Sequence, residues 1–99
     1  MPIVPDNGPY PWEQTDDLMR RETKYLVFVD ISHAFKGMRT RVWQVNSKSS
    51  GDLLARIKWF GKWRQYVFKP EPDTVWNTGC LDDINTFIGD AMRERRASR

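Results

Sequence analysis

Between Leu53 and Lys69 the chain alternates apolar and charged side chains on either side of a single glycine. Alternation with a period of two sends successive side chains to opposite faces of a strand. Gly61-Lys62 lies at the centre of this stretch. As a two-residue hairpin loop, it would place Gly61 where a type II′ turn needs φ > 0. Phe60 then pairs with Trp63, Trp59 with Arg64, Lys58 with Gln65, Ile57 with Tyr66, Arg56 with Val67 and Ala55 with Phe68. One face carries Leu53, Ala55, Ile57, Trp59, Tyr66 and Phe68. The other carries Leu54, Arg56, Lys58, Gln65, Val67 and Lys69, with Phe60 and Trp63 near the turn. An antiparallel sheet with one covered and one wet face has this segregation. A slip of one residue would exchange the faces and bury Arg56 and Lys58 in place of Ile57 and Trp59.

The rest of the chain supplies what such a hairpin needs. A length of 99 residues allows one domain with one modest core. Lys24 to Ile31 reads as a strand with Tyr25, Val27, Val29 and Ile31 on one face and Leu26 and Phe28 on the other. Arg41 to Ser47 reads as a second strand, followed by the turn signal Ser49-Ser50-Gly51-Asp52. Leu53 to Trp59 and Trp63 to Lys69 are the third and fourth. Pro70 and Pro72 end the sheet, because proline cannot continue a ladder. A helix is expected from Gly79 or Cys80 to Arg95, capped by Thr78. Leu81, Ile84, Phe87, Ile88, Ala91 and Met92 recur at three- and four-residue spacing and make one apolar stripe. Gly89 interrupts it and is a candidate for close packing. The fold class is therefore α+β: a three- or four-stranded antiparallel β-meander with a C-terminal α-helix on one face.

Residues 1 to 23 read differently. Pro2, Pro5, Pro9 and Pro11 forbid regular structure over the first eleven residues, which form an extended arm. Tyr10 and Trp12 on that arm are candidate partner-binding residues. Thr15 can cap a short helix over Asp16 to Glu22. Residues 24 to 99 form the single α+β domain. No apolar signal segment is visible near the N-terminus, and the longest apolar run, Tyr25 to Val29, is far below the roughly 20 residues a membrane helix needs. One cysteine, Cys80, excludes an internal disulfide and a cysteine-based zinc cage. The expected location is the cytoplasm, with no membrane partner.

Charge is unevenly distributed. Residues 24 to 70 hold ten basic and two acidic side chains, net +8, whereas residues 1 to 23 and 71 to 99 are net −3 and −2. A basic middle invites an anionic partner. Equally, it can be a solvated sheet face balanced by the acidic flanks of the same chain. The candidate site is basic and aromatic: Arg56, Lys58, Lys62, Trp63 and Lys69, with Phe60 beside them and Arg41, Lys48 and Arg64 nearby. Cations interleaved with aromatics grip single-stranded nucleic acid without reading its sequence. The same residue types also dominate protein–protein hot spots.

Enzymatic chemistry finds little support. No phosphate-cradling glycine motif, cofactor motif or metal-ligand spacing is present. Cys80 and His33 are the only residues that could make a nucleophile and base, and a helix N-terminus would lower the thiol pKa. A small partly buried cysteine is the commoner role. The expectation is a non-enzymatic binding protein with no cofactor and no metal. Its partner is nucleic acid or another protein, and an unpaired edge strand leaves a homodimer open.

A family resemblance covers residues 41 to 90. The pattern Ile57-x-Trp59-x-x-x-Trp63-Arg64-x-Tyr66-x-Phe68-x-Pro70, then Thr74-Val75-x-x-x-x-Cys80-Leu81-x-Asp83-Ile84-x-x-Phe87, resembles that of small uncharacterised proteins encoded by bacteriophages and prophages. The resemblance brings no activity with it. It implies a phage accessory protein acting by binding, either to nucleic acid or to a host protein such as a defence factor.

Overall fold

The structure is a computed structural model and describes residues 18–35, 37 and 39–97. Tyr10, Trp12 and the arm that carries them lie outside the described residues.

Among the described residues the fold has five strands and a helix: β1 (Arg20–Glu22), β2 (Leu26–Asp30), β3 (Val42–Ser47), β4 (Leu53–Phe60), β5 (Gln65–Pro70) and α1 (Thr78–Ala97). A single 3-10 turn, Ser32–Ala34, follows β2. The strands lie in sequence order and every neighbouring pair is antiparallel. This is the expected meander, with one strand more than expected. The extra strand is β1, where a short helix over Asp16 to Glu22 was expected. Residues 20 to 22 pair instead with β2, Arg21 opposite Phe28. A seven-residue helix is marginal in water, and the free edge of β2 offers residues 20 to 22 ladder partners; Thr15 to Asp17 lie outside the described residues.

The sheet and helix share one aromatic core. Phe28 from β2 stacks on Phe87 from α1, with centroids 4.4 Å apart. Trp43 from β3 meets Phe87 edge-on at 5.1 Å and Tyr66 from β5 at 5.0 Å. The indole N–H of Trp43 donates to the Leu18 carbonyl at 2.7 Å, which satisfies the polar end of a fully buried ring and holds the segment before β1 against the core. Ile84, Phe87 and Ala91 are the buried members of the helical stripe. Leu81 is not one of them, at 42% exposed; Cys80 takes the first inward position. The cap also differs. The side-chain oxygen of Asn77, not Thr78, accepts the Cys80 N–H at 2.8 Å. Gly89 has no atom within 4 Å of where a Cβ would stand, so it marks no close approach.

The hairpin of β4 and β5 has the expected faces but a different register. Phe60 pairs with Gln65, Trp59 with Tyr66, Lys58 with Val67, Ile57 with Phe68 and Arg56 with Lys69. The loop is four residues, 61 to 64, closed by hydrogen bonds from the Trp63 N–H to the Phe60 carbonyl and from the Arg64 N–H to the Gly61 carbonyl. The positive φ falls on Arg64, at 54°, and not on Gly61. A shift of two positions leaves the face of every paired residue unchanged, because the side-chain period is two. At the start of β4 the faces do change. A register shift at Val45/Asn46 leaves Leu54 as the extra residue, so Leu53 lies opposite Asn46 while Leu54 packs against the core. A bulge of this kind reverses the alternation on one side of itself.

Candidate nucleic-acid interface

The sheet has two unlike faces. α1 covers the one that carries Phe28, Trp43, Val45, Ala55, Ile57 and Tyr66. The other, the open face, is read off the register. Arg20, Val29, Gln44, Arg56 and Lys69 stand opposite one another in a single row across all five strands. Val42, Lys58 and Val67 make the next row towards the hairpin tip, with Val42 buried and Lys58 exposed. With strands about 4.8 Å apart, Arg56 and Lys69 are immediate neighbours and Lys58 lies one pleat further along β4.

The structure therefore brings Arg56, Lys58 and Lys69 together on one exposed surface. None of the three has an ion-pair partner among the described residues. Lys62 and Trp63 lie in the exposed loop at the tip, where Trp63 is 67% exposed. Trp63 packs edge-on against Phe60 at 4.9 Å. These two rings, with Val67, Phe68 and Lys69, line a shallow cleft of about 230 Å³ beside the β5 edge. A surface of unpaired cations ending in an exposed indole can take a polyanion whose planar groups stack.

The neighbouring cations do not join this surface. Arg41 is drawn to the helix side. Its Nε donates to Asp30 and its Nη1 to Glu94, both at 2.6 Å, and its guanidinium stacks over Trp43. The Asp30 carboxyl feels burial, which alone would raise its pKa. Hydrogen bonds from Ser32 and the adjacent Arg41 outweigh that and hold it below the usual carboxylate range. Lys48 pairs with Glu22 at 3.6 Å. Arg64, turned by its left-handed backbone, lines a cleft on the helix side with Trp59, Met92, Arg95 and Arg96. The composition of the tail accounts for Arg95 and Arg96 as complements to the helix dipole, and nothing in their spacing brings Arg64 beside them. The four-residue loop does that.

Cys80 and His33 are not assembled into a site. Cys80 lines a groove with Lys24, Tyr25, Leu26, Ser47, Lys48, Ser49 and Leu54, at the start of β2. His33 is exposed on the turn after the end of β2. The length of β2, five residues or roughly 15 Å, lies between those ends. Among the described residues no helix is long and apolar enough to cross a membrane.

The uncharacterised 9.3 kDa protein of Acholeplasma phage L2 is similar to this chain, with 33% identity over 76 residues. The match spans 77% of this chain and 95% of the phage protein. The chain belongs to this phage protein family. No family model matches the chain. No solved structure matches it either. Membership of the phage family agrees with the phage resemblance in the sequence and supplies no residue role. The basic row on the open face is accordingly argued from geometry and charge alone.

Proposed function

We propose that the protein is a phage accessory binding protein, not an enzyme, that takes single-stranded nucleic acid on the open face of its sheet. The observation that carries this is the unpaired set Arg56, Lys58 and Lys69 on one face, ending at Lys62 and the exposed Trp63. Carboxylates elsewhere in the molecule are engaged by other arginines: Asp30 and Glu94 by Arg41, and Asp90 by Arg21 and Arg93. Glu22, two residues from Arg20 in β1, is held by Arg20 and Lys48. The uncompensated positive charge supports a polyanionic ligand, and Trp63 supports one with bases free to stack. The proposed setting is the cytoplasm of the host cell.

Fluorescence anisotropy with labelled oligonucleotides over a range of salt concentrations tests the proposal. For a single strand, log K falls with log salt by about 0.7 per phosphate contacted, so three cations predict a slope of about −2 and Lys62 a slightly steeper one. Arg56→Gln, Lys58→Gln or Lys69→Gln should each flatten the slope by about 0.7. Trp63→Ala should weaken binding by about 1–3 kcal/mol with little change in slope. Absence of binding to single- and double-stranded DNA and RNA at low salt refutes the proposal.

A second reading rests on the cleft that Trp63 lines with Phe60 and Phe68. An exposed tryptophan beside an apolar cleft is the kind of anchor that protein interfaces use. In that reading the partner is a host protein, contacted also by Tyr10 and Trp12. Capture of a host protein from nuclease-treated lysate, lost in Trp63→Ala and unaffected by salt, would favour it over nucleic acid.

A further inference from the structure

Between the hairpin tip and the C-terminal end of α1 lies a cleft of about 220 Å³ lined by Trp59, Arg64, Met92, Arg95 and Arg96. Three of its five lining residues are arginines, and they come from two separate elements. Arg95 is held with its guanidinium 4.1 Å from the centroid of the Trp59 ring. Trp59 is itself braced edge-on by Tyr66 at 5.2 Å. The stack fixes the plane of the Arg95 guanidinium against the ring. Arg64 and Arg96 flank it, and neither has an ion-pair partner among the described residues.

Two further features point the same way. Glu94, which immediately precedes the two helix arginines in sequence, pairs with Arg41 and is not part of the cleft lining. Arg64 adopts φ 54°, a left-handed conformation that glycine takes freely and arginine takes at a cost. The four-residue hairpin loop imposes this conformation, and it sets Arg64 at the rim of the cleft. The helix dipole explains cations at Arg95 and Arg96, since a helix C-terminus favours them. It does not explain a third arginine brought in by a strained loop.

We infer that this cleft binds the phosphate group of a mononucleotide. Planar guanidinium forks match phosphate oxygens bidentately, and Arg64 and Arg96 supply two such forks at one cleft. The volume admits a phosphate with its attached sugar, and Met92 gives the sugar an apolar floor. The site is separate from the open face, across the hairpin from Arg56, Lys58 and Lys69, and does not depend on that face binding nucleic acid.

The test uses the full chain titrated with adenosine 5′-monophosphate, inorganic phosphate and adenosine, followed by NMR of the tryptophan indole N–H and arginine side-chain signals. The monophosphate should bind most tightly and shift Trp59 and Arg95, phosphate more weakly at the same signals, and adenosine not at all. Arg96→Gln, on the exposed helix end, should weaken monophosphate binding by about tenfold. Arg64→Asn, which tolerates the left-handed backbone, should do the same. The triple variant Arg56→Gln/Lys58→Gln/Lys69→Gln should leave it unchanged. Equal binding of adenosine, an effect of the triple variant as large as that of Arg96→Gln, or no shift at Trp59 with millimolar monophosphate at low salt would each overturn the inference.

Discussion

Arg41 is a basic residue in the basic middle of the chain, yet its predicted role is structural. Replacing it with methionine keeps the length of the side chain and removes the charge. The ion pairs to Asp30 and Glu94 are lost, together with the stack on Trp43. The contact to Asp30 is short and sheltered, with the Asp30 side chain only 8% exposed; the contact to Glu94 is half in water at 37%. Removing one partner of a buried ion pair costs about 3–5 kcal/mol. Asp30 keeps the backbone N–H of Ser32 at 2.7 Å, so its charge is not abandoned and the lower end applies. The Glu94 pair, half exposed, adds under about 1 kcal/mol. The expected loss is about 3–4 kcal/mol, which for a domain of this size lowers Tm by roughly 12–30 °C. Urea unfolding followed by tryptophan fluorescence measures it.

The pH dependence gives a second readout. Asp30 has a folded pKa below its unfolded value of about 3.9. Its stabilisation is therefore fully present above that value and is lost as pH falls through the folded pKa. In Arg41→Met the acid-labile increment shrinks without vanishing, because the Ser32 hydrogen bonds remain. Nucleic-acid affinity per folded molecule should be unchanged. A loss of stability under about 0.5 kcal/mol, or an unchanged acid limb, would refute the reasoning about this clamp.

Other outcomes follow from the same geometry. Phe87→Ala removes the ring that stacks on Phe28 and abuts Trp43, and should cost about 3–5 kcal/mol in chemical denaturation. Gly89→Ala should stabilise the domain by about 1 kcal/mol, since the site is helical and open; a loss would mean that the backbone there needs glycine. Asn77→Ala should cost about 1 kcal/mol through loss of the helix cap, with Thr78→Ala near neutral as the control.

The hairpin illustrates why some of this was legible in the sequence. Arg56 and Lys58 alternate with Ile57 and Trp59, and a strand can satisfy both sets only by facing one to water. That argument survives a two-position error in register, so the open basic face was visible without the correct turn. The turn was not. Glycine at 61 is the obvious bearer of a positive φ, but the pairing of Trp59 with Tyr66 over the core requires four loop residues and passes the strain to Arg64. Likewise Arg20 to Glu22 read as the end of a charged helical turn, because nothing local announces an edge strand. The bulge that exchanges Leu53 and Leu54 arises from how β3 meets β4.

By itself, then, the sequence determined the α+β class, the antiparallel order, the helical stripe around Ile84 and Phe87, and which hairpin residues face water. These depend on periodicity, which is local and repeats often enough to outvote single errors. Tertiary structure alone decided the partners of the charges. Arg41, just before β3, and Arg56, on the adjacent β4, carry the same group. One is clamped between Asp30 and Glu94 under the helix, and the other stands unpaired on the open face. Arg64 and Arg95, 31 positions apart, meet beside Trp59. Coulomb energies and hydrogen bonds depend on distances of a few ångströms, and those distances exist only once the helix has crossed the sheet.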